Sequence, residues 1–182
     1  MRKVKAAVMV DEINAMNQLH SIGIEGIQPW KSFFEALEKV LKLDYLTIEV
    51  HYHIYGAIVP RYIDHDTYFK RKRFFEALER DGINVHRGFC EKREDGLTEK
   101  GVDVLLALDL LEMAQKGYDL LLVFSGDADV VPAIKRAQKA GAKVIAILSK
   151  GQKAKSVKDT ADAVVTLESL IELIPKGNIV FR

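Results

Sequence analysis

Two carboxylates one residue apart, Asp127 and Asp129, follow a wholly apolar run in LLLVFSGDADVVPAIKRAQKAG. Asp11 ends another apolar run, in VMVDEIN, and Asp103 sits early in EKGVDVLLALDLL. Like charges gathered in a partly desolvated cleft repel strongly, and a divalent cation is the simplest remedy. An all-oxygen set, with no cysteine and no obvious histidine ligand, favours Mg2+ or Mn2+ over Zn2+. Such a set can hold one or two ions, acidify a water and steady a phosphodiester under in-line attack. Taken singly, some of these acids have plainer uses. Asp129 fits the N-cap of a helix over 130–140, with Pro132 tolerated in its first turn. Asp103 suits a helix N-terminus through the macrodipole. Asp11 is harder to explain as structure, because it breaks an apolar run with an acidic pair.

The functional reading therefore depends on the elements that position the acids. The spacing predicts strands over 4–10, 45–55, 83–89, 119–125 and 143–148, with a last short strand in ADAVVTL. It predicts helices over 29–43, 66–82 and 98–117, one following Asp129, and a short one in ESLIELI. Thr98 is the expected cap of helix 98–117, and Gly82 and Gly117 close their helices. Strands separated by helices imply βαβ crossovers and an α/β fold: three layers, with a mostly parallel central sheet of Rossmann-like build. Ligands in such sheets sit at the carboxyl edge. Asp11, Asp127 and Asp129 lie on that rim if their strands are parallel. Helix 98–117 leaves strand 83–89, so Asp103 joins them. Gly126 permits a tight turn or a close backbone approach to a ligand. No repeat, low-complexity segment or linker interrupts the chain, so residues 1–182 are expected to form one domain.

At VMVDEIN (8–14), EKGVDVLLALDLL (99–111) and SGDADVVPAIKRAQKAGAKVIAI (125–147) the sequence resembles the NYN domain family, also called LabA-like, of the PIN-like nuclease superfamily. Order and spacing fit from about residue 4 to 174. The resemblance implies a PIN-like fold and metal-dependent cleavage of RNA. It implies that Asp11, Asp103, Asp127 and Asp129 are the acidic metal-binding and catalytic set. Asn14 matches the Asn after the first Asp, and Lys100 matches the Lys of the KGVD motif. With Ser125, whose hydroxyl could hold a ligand oxygen, these are the expected substrate-binding residues. Asp162 echoes the Asp that often precedes the last strand. DEIN departs from the commoner Asp-Gly-x-Asn pattern, and DADVV lacks the aromatic that often follows the second Asp. The alternative is a non-catalytic RNA-binding or regulatory member that keeps the pocket without cleaving. DADVV also fits the haloacid-dehalogenase-like phosphatases. Their nucleophilic Asp comes straight off an early strand, whereas this motif lies late, behind a Ser-Gly step.

Other features are read against ordinary structure. KRKR (70–73), flanked by Tyr68, Phe69, Phe74 and Phe75, could bind RNA, but helical spacing sends Phe74, Leu78 and Phe75 inward. Arg71 and Arg73 stay open between the two readings. KGQKAKSVK (150–158) could guide a polyanion or be a surface loop. His51 and His53 share a strand face and read as half-buried residues. Cys90 lacks a helix start or basic partner and reads as structural. RYIDHD (61–66) is a candidate cleft wall. Strand 45–55, with Tyr52 and Tyr55, permits a homodimer. Composition is that of an ordinary soluble protein, 48% hydrophobic and 29% charged, and a net charge of +1 leaves any polyanion affinity to local patches. The single cysteine fits a reducing compartment, and no apolar run reaches the roughly 20 residues of a membrane span. MRKVKAAVMVDEIN reads as a first strand, not a signal peptide. The expected setting is cytoplasmic, with no membrane partner.

Overall fold

The computed structural model describes residues 3–182. Met1 and Arg2, the start of the basic N-terminus read above, lie outside the described residues. The chain begins with β1 (Val4–Asp11), α1 (Glu12–Ser21), β2 (Ile24–Ile27), α2 (Lys31–Asp44) and β3 (Ile48–Ile58). It continues through α3 (His65–Arg80), β4 (Asn84–Arg93), β5 (Gly96–Lys100) and α4 (Val102–Gln115). The last part is β6 (Leu120–Phe124), α5 (Val131–Lys139), β7 (Lys143–Leu148), α6 (Lys155–Thr160), β8 (Ala163–Thr166), α7 (Leu167–Ile171) and β9 (Ile179–Phe181).

Seven strands form one sheet in the order β5-β4-β3-β1-β6-β7-β8. Every pairing in it is parallel except β4–β5. The apolar runs of β1 and β6 are fully explained, since helices cover both faces of the sheet and neither side chain parity meets water. On one face, Phe33, Phe34 and Leu37 of α2, Leu19 of α1 and Phe75 of α3 close over Val8, Val10 and Phe124. On the other, Leu106 and Leu110 of α4 and Ile134 of α5 close over Ala7, Met9 and Val123. Each fully buried large side chain contributes about 2 kcal/mol. This three-layer arrangement matches the expected class.

The differences are local. The strand expected at 45–55 runs Ile48–Ile58, because Tyr45 still donates its N–H to the last turn of α2, at Leu41. The helix expected from Thr98 starts at Val102. Thr98 instead lies in β5, which folds back antiparallel on β4 through a hairpin. Gly101 is the residue before α4 and holds φ +81°, a left-handed value that any side chain would strain. α1 was not expected at all, nor were β2 and β9, which pair with each other in a separate two-stranded sheet. Tyr55 is fully buried, and the Tyr52 hydroxyl is engaged by Glu38, so neither supplies the exposed apolar surface that a dimer at β3 would use.

Candidate metal centre

α1 follows β1 with no intervening loop, and Asp11 serves both. As the N-cap of α1, its Oδ1 accepts the Asn14 N–H at 3.3 Å. The Asp that resisted a structural reading therefore has one, in addition to its place on the rim. Its Oδ2 accepts the Ser125 hydroxyl at 3.1 Å, which crosses from the end of β6. Burial raises the Asp11 carboxyl above its usual range. The hydrogen bonds from Asn14 and Ser125 oppose this, and the charges of Asp127 and Asp103 add to it.

Ser125 is fully buried and its Oγ also accepts the Asp127 N–H at 3.2 Å. It orients Asp11 and the following turn. The expectation that it grips a ligand fails for that reason: its hydroxyl is spent and out of reach. Asn14 Oδ1 accepts the Gly126 N–H at 2.9 Å and Gln18 Nε2 at 2.8 Å. Gly126 makes its close approach to protein rather than to a ligand, since a Cβ there would sit 3.2 Å from Ala154 and Gln152 side-chain atoms. Asp127, not Asp129, makes the helix-start bond. Its Oδ1 accepts the Asp129 N–H at 2.9 Å, opening a short 3-10 turn (Ala128–Val130) that runs into α5.

Asp11, Asn14, Asp103 and Asp127 line one cavity of about 360 Å³, together with Ile13, Asn17, Val102 and Glu99. β1, α1, β5, the start of α4 and the end of β6 each supply part of the wall. Asp129 and Lys100 are not in that lining. Lys100 follows Glu99 in a strand, where successive side chains leave opposite faces. Glu99 was missed as a site residue, although EKGVD was singled out. Only recognising 96–100 as a strand would have found it. Its carboxyl is pushed up to about 7, chiefly by burial, then by the charges of Asp11 and Glu12, with Arg71 opposing.

Glu12 does not enter the cavity. Its carboxylate takes two bonds from the Arg71 guanidinium, at 2.7 and 2.5 Å. Arg71 also donates to the Ala57 carbonyl and lies over the Phe75 ring at 4.5 Å. Arg71 of KRKR is thus a half-buried structural ion pair, Phe75 is fully buried, and Arg73 stays exposed.

Other candidates fall outside the cavity. His53 Nδ1 and His86 Nε2 share a hydrogen bond at 2.9 Å, and Tyr55 donates to Asp109 at 2.7 Å, within the sheet–α4 interface. Asp162 accepts the Val144 N–H at 2.8 Å near the start of β7, at the opposite edge of the sheet. Cys90 is half-buried and burial raises its thiol. Asp64 of RYIDHD caps α3 by accepting the Thr67 N–H.

The donor set is all carboxylate oxygen, burial raises the carboxyls of Asp11 and Glu99, and the cavity lining contains no Lys or Arg. That chemistry fits a hard divalent ion. Among the described residues, no three His, Cys, Asp or Glu side chains already close around one ion position.

A mostly parallel sheet covered on both faces, with an acidic pocket at its carboxyl edge where the strand order reverses, defines a PIN-like α/β protein. The chain belongs to the NYN domain family, whose model matches residues 6–168. A crystal structure of a protein of unknown function from Vibrio parahaemolyticus is similar over 99% of this chain and 100% of that one. It has 22% sequence identity and a TM-score of 0.69, a likeness of fold alone. A nicotinamidase from Staphylococcus aureus aligns over 91% of this chain and 99% of its own, at 15% identity and a TM-score of 0.37. That score is too low to inform the site. No curated protein matches the sequence. No helix among the described residues is long and apolar enough to cross a membrane.

Proposed function

We propose that this protein is a divalent-metal-dependent endoribonuclease acting as one NYN domain in the cytoplasm. The observation that carries the reading is the convergence of Asp11, Glu99, Asp103 and Asp127 on one open cavity at the carboxyl edge. Asp11, Asp103 and Asp127 would hold Mg2+ or Mn2+, with Asp129 two residues beyond Asp127. The ion would supply charge neutralisation at the phosphate and an acidified water. Ser125 and the Asn14 N–H hold the two oxygens of Asp11 in place. Asn14 keeps its amide NH2 group for a phosphate oxygen or a water at the cavity wall. Burial pushes the Glu99 carboxyl up to about 7, and a cation held beside it would favour its charged form. Lys100, off the wall, supports an incoming phosphate only through its long-range charge. RNA is the proposed substrate on the strength of the family.

The second reading is an RNA-binding or regulatory protein that keeps the acidic pocket and binds metal without cleaving. The test incubates purified protein with labelled single-stranded and structured RNAs in Mn2+, Mg2+ or EDTA, beside Asp127→Asn. That variant keeps an oxygen to cap Asp129. Metal-dependent cleavage lost in Asp127→Asn supports the nuclease. No cleavage by a folded, metal-binding protein overturns it in favour of the second reading.

A further inference from the structure

Residues 130–158 carry eight of the chain's 27 Lys and Arg and none of its 26 Asp and Glu. The remainder of the chain is therefore net acidic, although the whole is only +1. All eight cations are exposed. Helices α5 and α6 cover the same face of the sheet, through Ile134, Ala137 and Val157. Burial of Ile134 and Ala137 turns Lys135, Arg136 and Lys139 outward as one stripe along α5. Among the described residues, Lys135, Arg136, Lys139 and Lys153 form no ion pair. Other helices of the chain match their lysines with glutamates: Lys31–Glu35 and Lys42–Glu38 on α2, Lys72–Glu76 on α3, and Lys116–Glu112 at the end of α4. On α5 the unmatched like charges at i,i+4, Lys135 and Lys139, work against the helix. The macrodipole accounts for Arg136 and Lys139 in the last turn, but not for Lys135 or Lys153.

The acids at the margins of this surface have other partners. Asp159 pairs with Lys155. Asp162 accepts the Val144 N–H at 2.8 Å and Gln138 Nε2 at 3.2 Å. Glu168 accepts the Lys150 N–H at 2.9 Å. Asp127 and Asp129 lie at the cavity end, just before α5 begins. The cationic surface starts beside that cavity. A Cβ on Gly126, next to Asp127, would touch Gln152 and Ala154, the residues on either side of Lys153. Lys135 is four residues into α5, about 6 Å along its axis.

The charge suits a polyanion, and the other side chains narrow the choice. The chain has no aromatic residue between Phe124 and Phe181, so this segment offers no ring on which a base could stack. α5 spends its apolar side chains, Ile134 and Ala137, on the core and keeps none for a lipid surface. What remains is charge alone, which takes a sugar–phosphate backbone without reading its sequence. We propose that α5 and the β7–α6 loop hold RNA by its backbone, with Lys135, Arg136, Lys139 and Lys153 on phosphates beside the acidic cavity. This deepens, and rests on, the reading of the protein as one that acts on RNA.

The test is fluorescence anisotropy with a labelled oligoribonucleotide over a range of salt, in EDTA so that no cleavage intervenes. The α5 triple variant, Lys135→Gln with Arg136→Gln and Lys139→Gln, lowers the slope of log affinity against log salt by about 2, at roughly 0.7 per phosphate contact. A control removes the same charge from α2, on the opposite face of the sheet: Lys31→Gln with Lys39→Gln and Lys42→Gln. Its slope matches the parent's. The same oligomer with its central bases removed loses as much affinity to the α5 triple as the intact strand does. The melting temperature of the α5 triple stays at or above the parent's, because exposed like charges are relieved. Equal slopes for parent and α5 triple, or an equal fall in the α2 control, overturns the surface. A loss confined to the strand that keeps its bases overturns backbone recognition. A parent that binds vesicles of anionic phospholipid but no RNA overturns RNA as the occupant. Binding through α5 with no cleavage in Mn2+ keeps the surface and removes the nuclease. Cleavage whose KM ignores the α5 triple does the reverse.

Discussion

The side-chain carbonyl of Asn14 accepts the backbone N–H of Gly126 at 2.9 Å, joining residues 112 apart in sequence. The same oxygen takes a bond from Gln18, whose own carbonyl accepts the Ser149 N–H at 2.7 Å. Helix α1 thus clamps the loops after β6 and β7, which sit next to each other in the sheet.

Asn14→Ala strands the Gly126 N–H and the Gln18 amide at a part-buried place. Leaving such donors unmatched costs about 1–3 kcal/mol. Urea unfolding is expected to show a loss of about 2 kcal/mol, and Asn14→Asp, which keeps an acceptor, a smaller one. An Asn14→Ala midpoint equal to the parent's would show that the clamp adds nothing.

Glu12 and Arg71 form a pair that is largely out of water, with side chains 10% and 26% exposed. Removing one partner leaves the other charged and unmatched. Arg71→Met or Glu12→Gln is expected to destabilise by about 3 kcal/mol. The double variant should recover part of that loss, and a double-mutant cycle reads the coupling. Additive single losses would argue against the pair acting as a unit.

How much of this was legible beforehand follows from which forces are local. The strands and long helices read directly, because burial on both faces writes continuous apolar runs into β1 and β6. The rim acids read from the parallel order of those strands. β5 did not read: GLTEK is short, polar at alternate positions and set at the sheet edge, so its pattern resembles a helix start. That one misassignment hid Glu99, whose direction follows from strand alternation alone. Glu12, where DEIN departs from the commoner pattern, is matched by Arg71, 59 residues on, and sequence spacing cannot show that. β2 and β9 are joined by pairing across most of the chain, with no local periodicity to announce them.

Glu99 gives a pH dependence. Its carboxyl rises from 4.5 to about 7 on folding, so the folded form holds the proton more tightly. Stability from this group is full below about 4.5 and falls as pH rises through about 7. Asp11, also raised, acts in the same direction from a lower start. Glu99→Gln should therefore gain stability relative to the parent between pH 5 and pH 8 in metal-free buffer. A constant difference across that range would contradict the assignment.

Metal should stabilise the fold without any RNA present. At 100 times its dissociation constant, an ion that binds only the folded form adds about 2.7 kcal/mol. Mg2+ or Mn2+ is expected to raise the melting temperature of EDTA-stripped protein, and Asp103→Asn and Asp127→Asn should each blunt the rise. A full rise in both variants would place the ion elsewhere.

The strand order has a consequence in time. β1 enters the sheet first in sequence but finds its second neighbour only when β6 has been made, because the chain builds β3, β4 and β5 on one side before α4 carries it across. A nascent chain stopped after α4 already owns Asp11, Glu99 and Asp103, yet one whole edge of β1 is bare and the wall supplied by Asp127 is missing. The cavity is completed by a late insertion rather than by growth from one end. The cavity is therefore whole only when synthesis has passed the middle of the protein and β6 has docked.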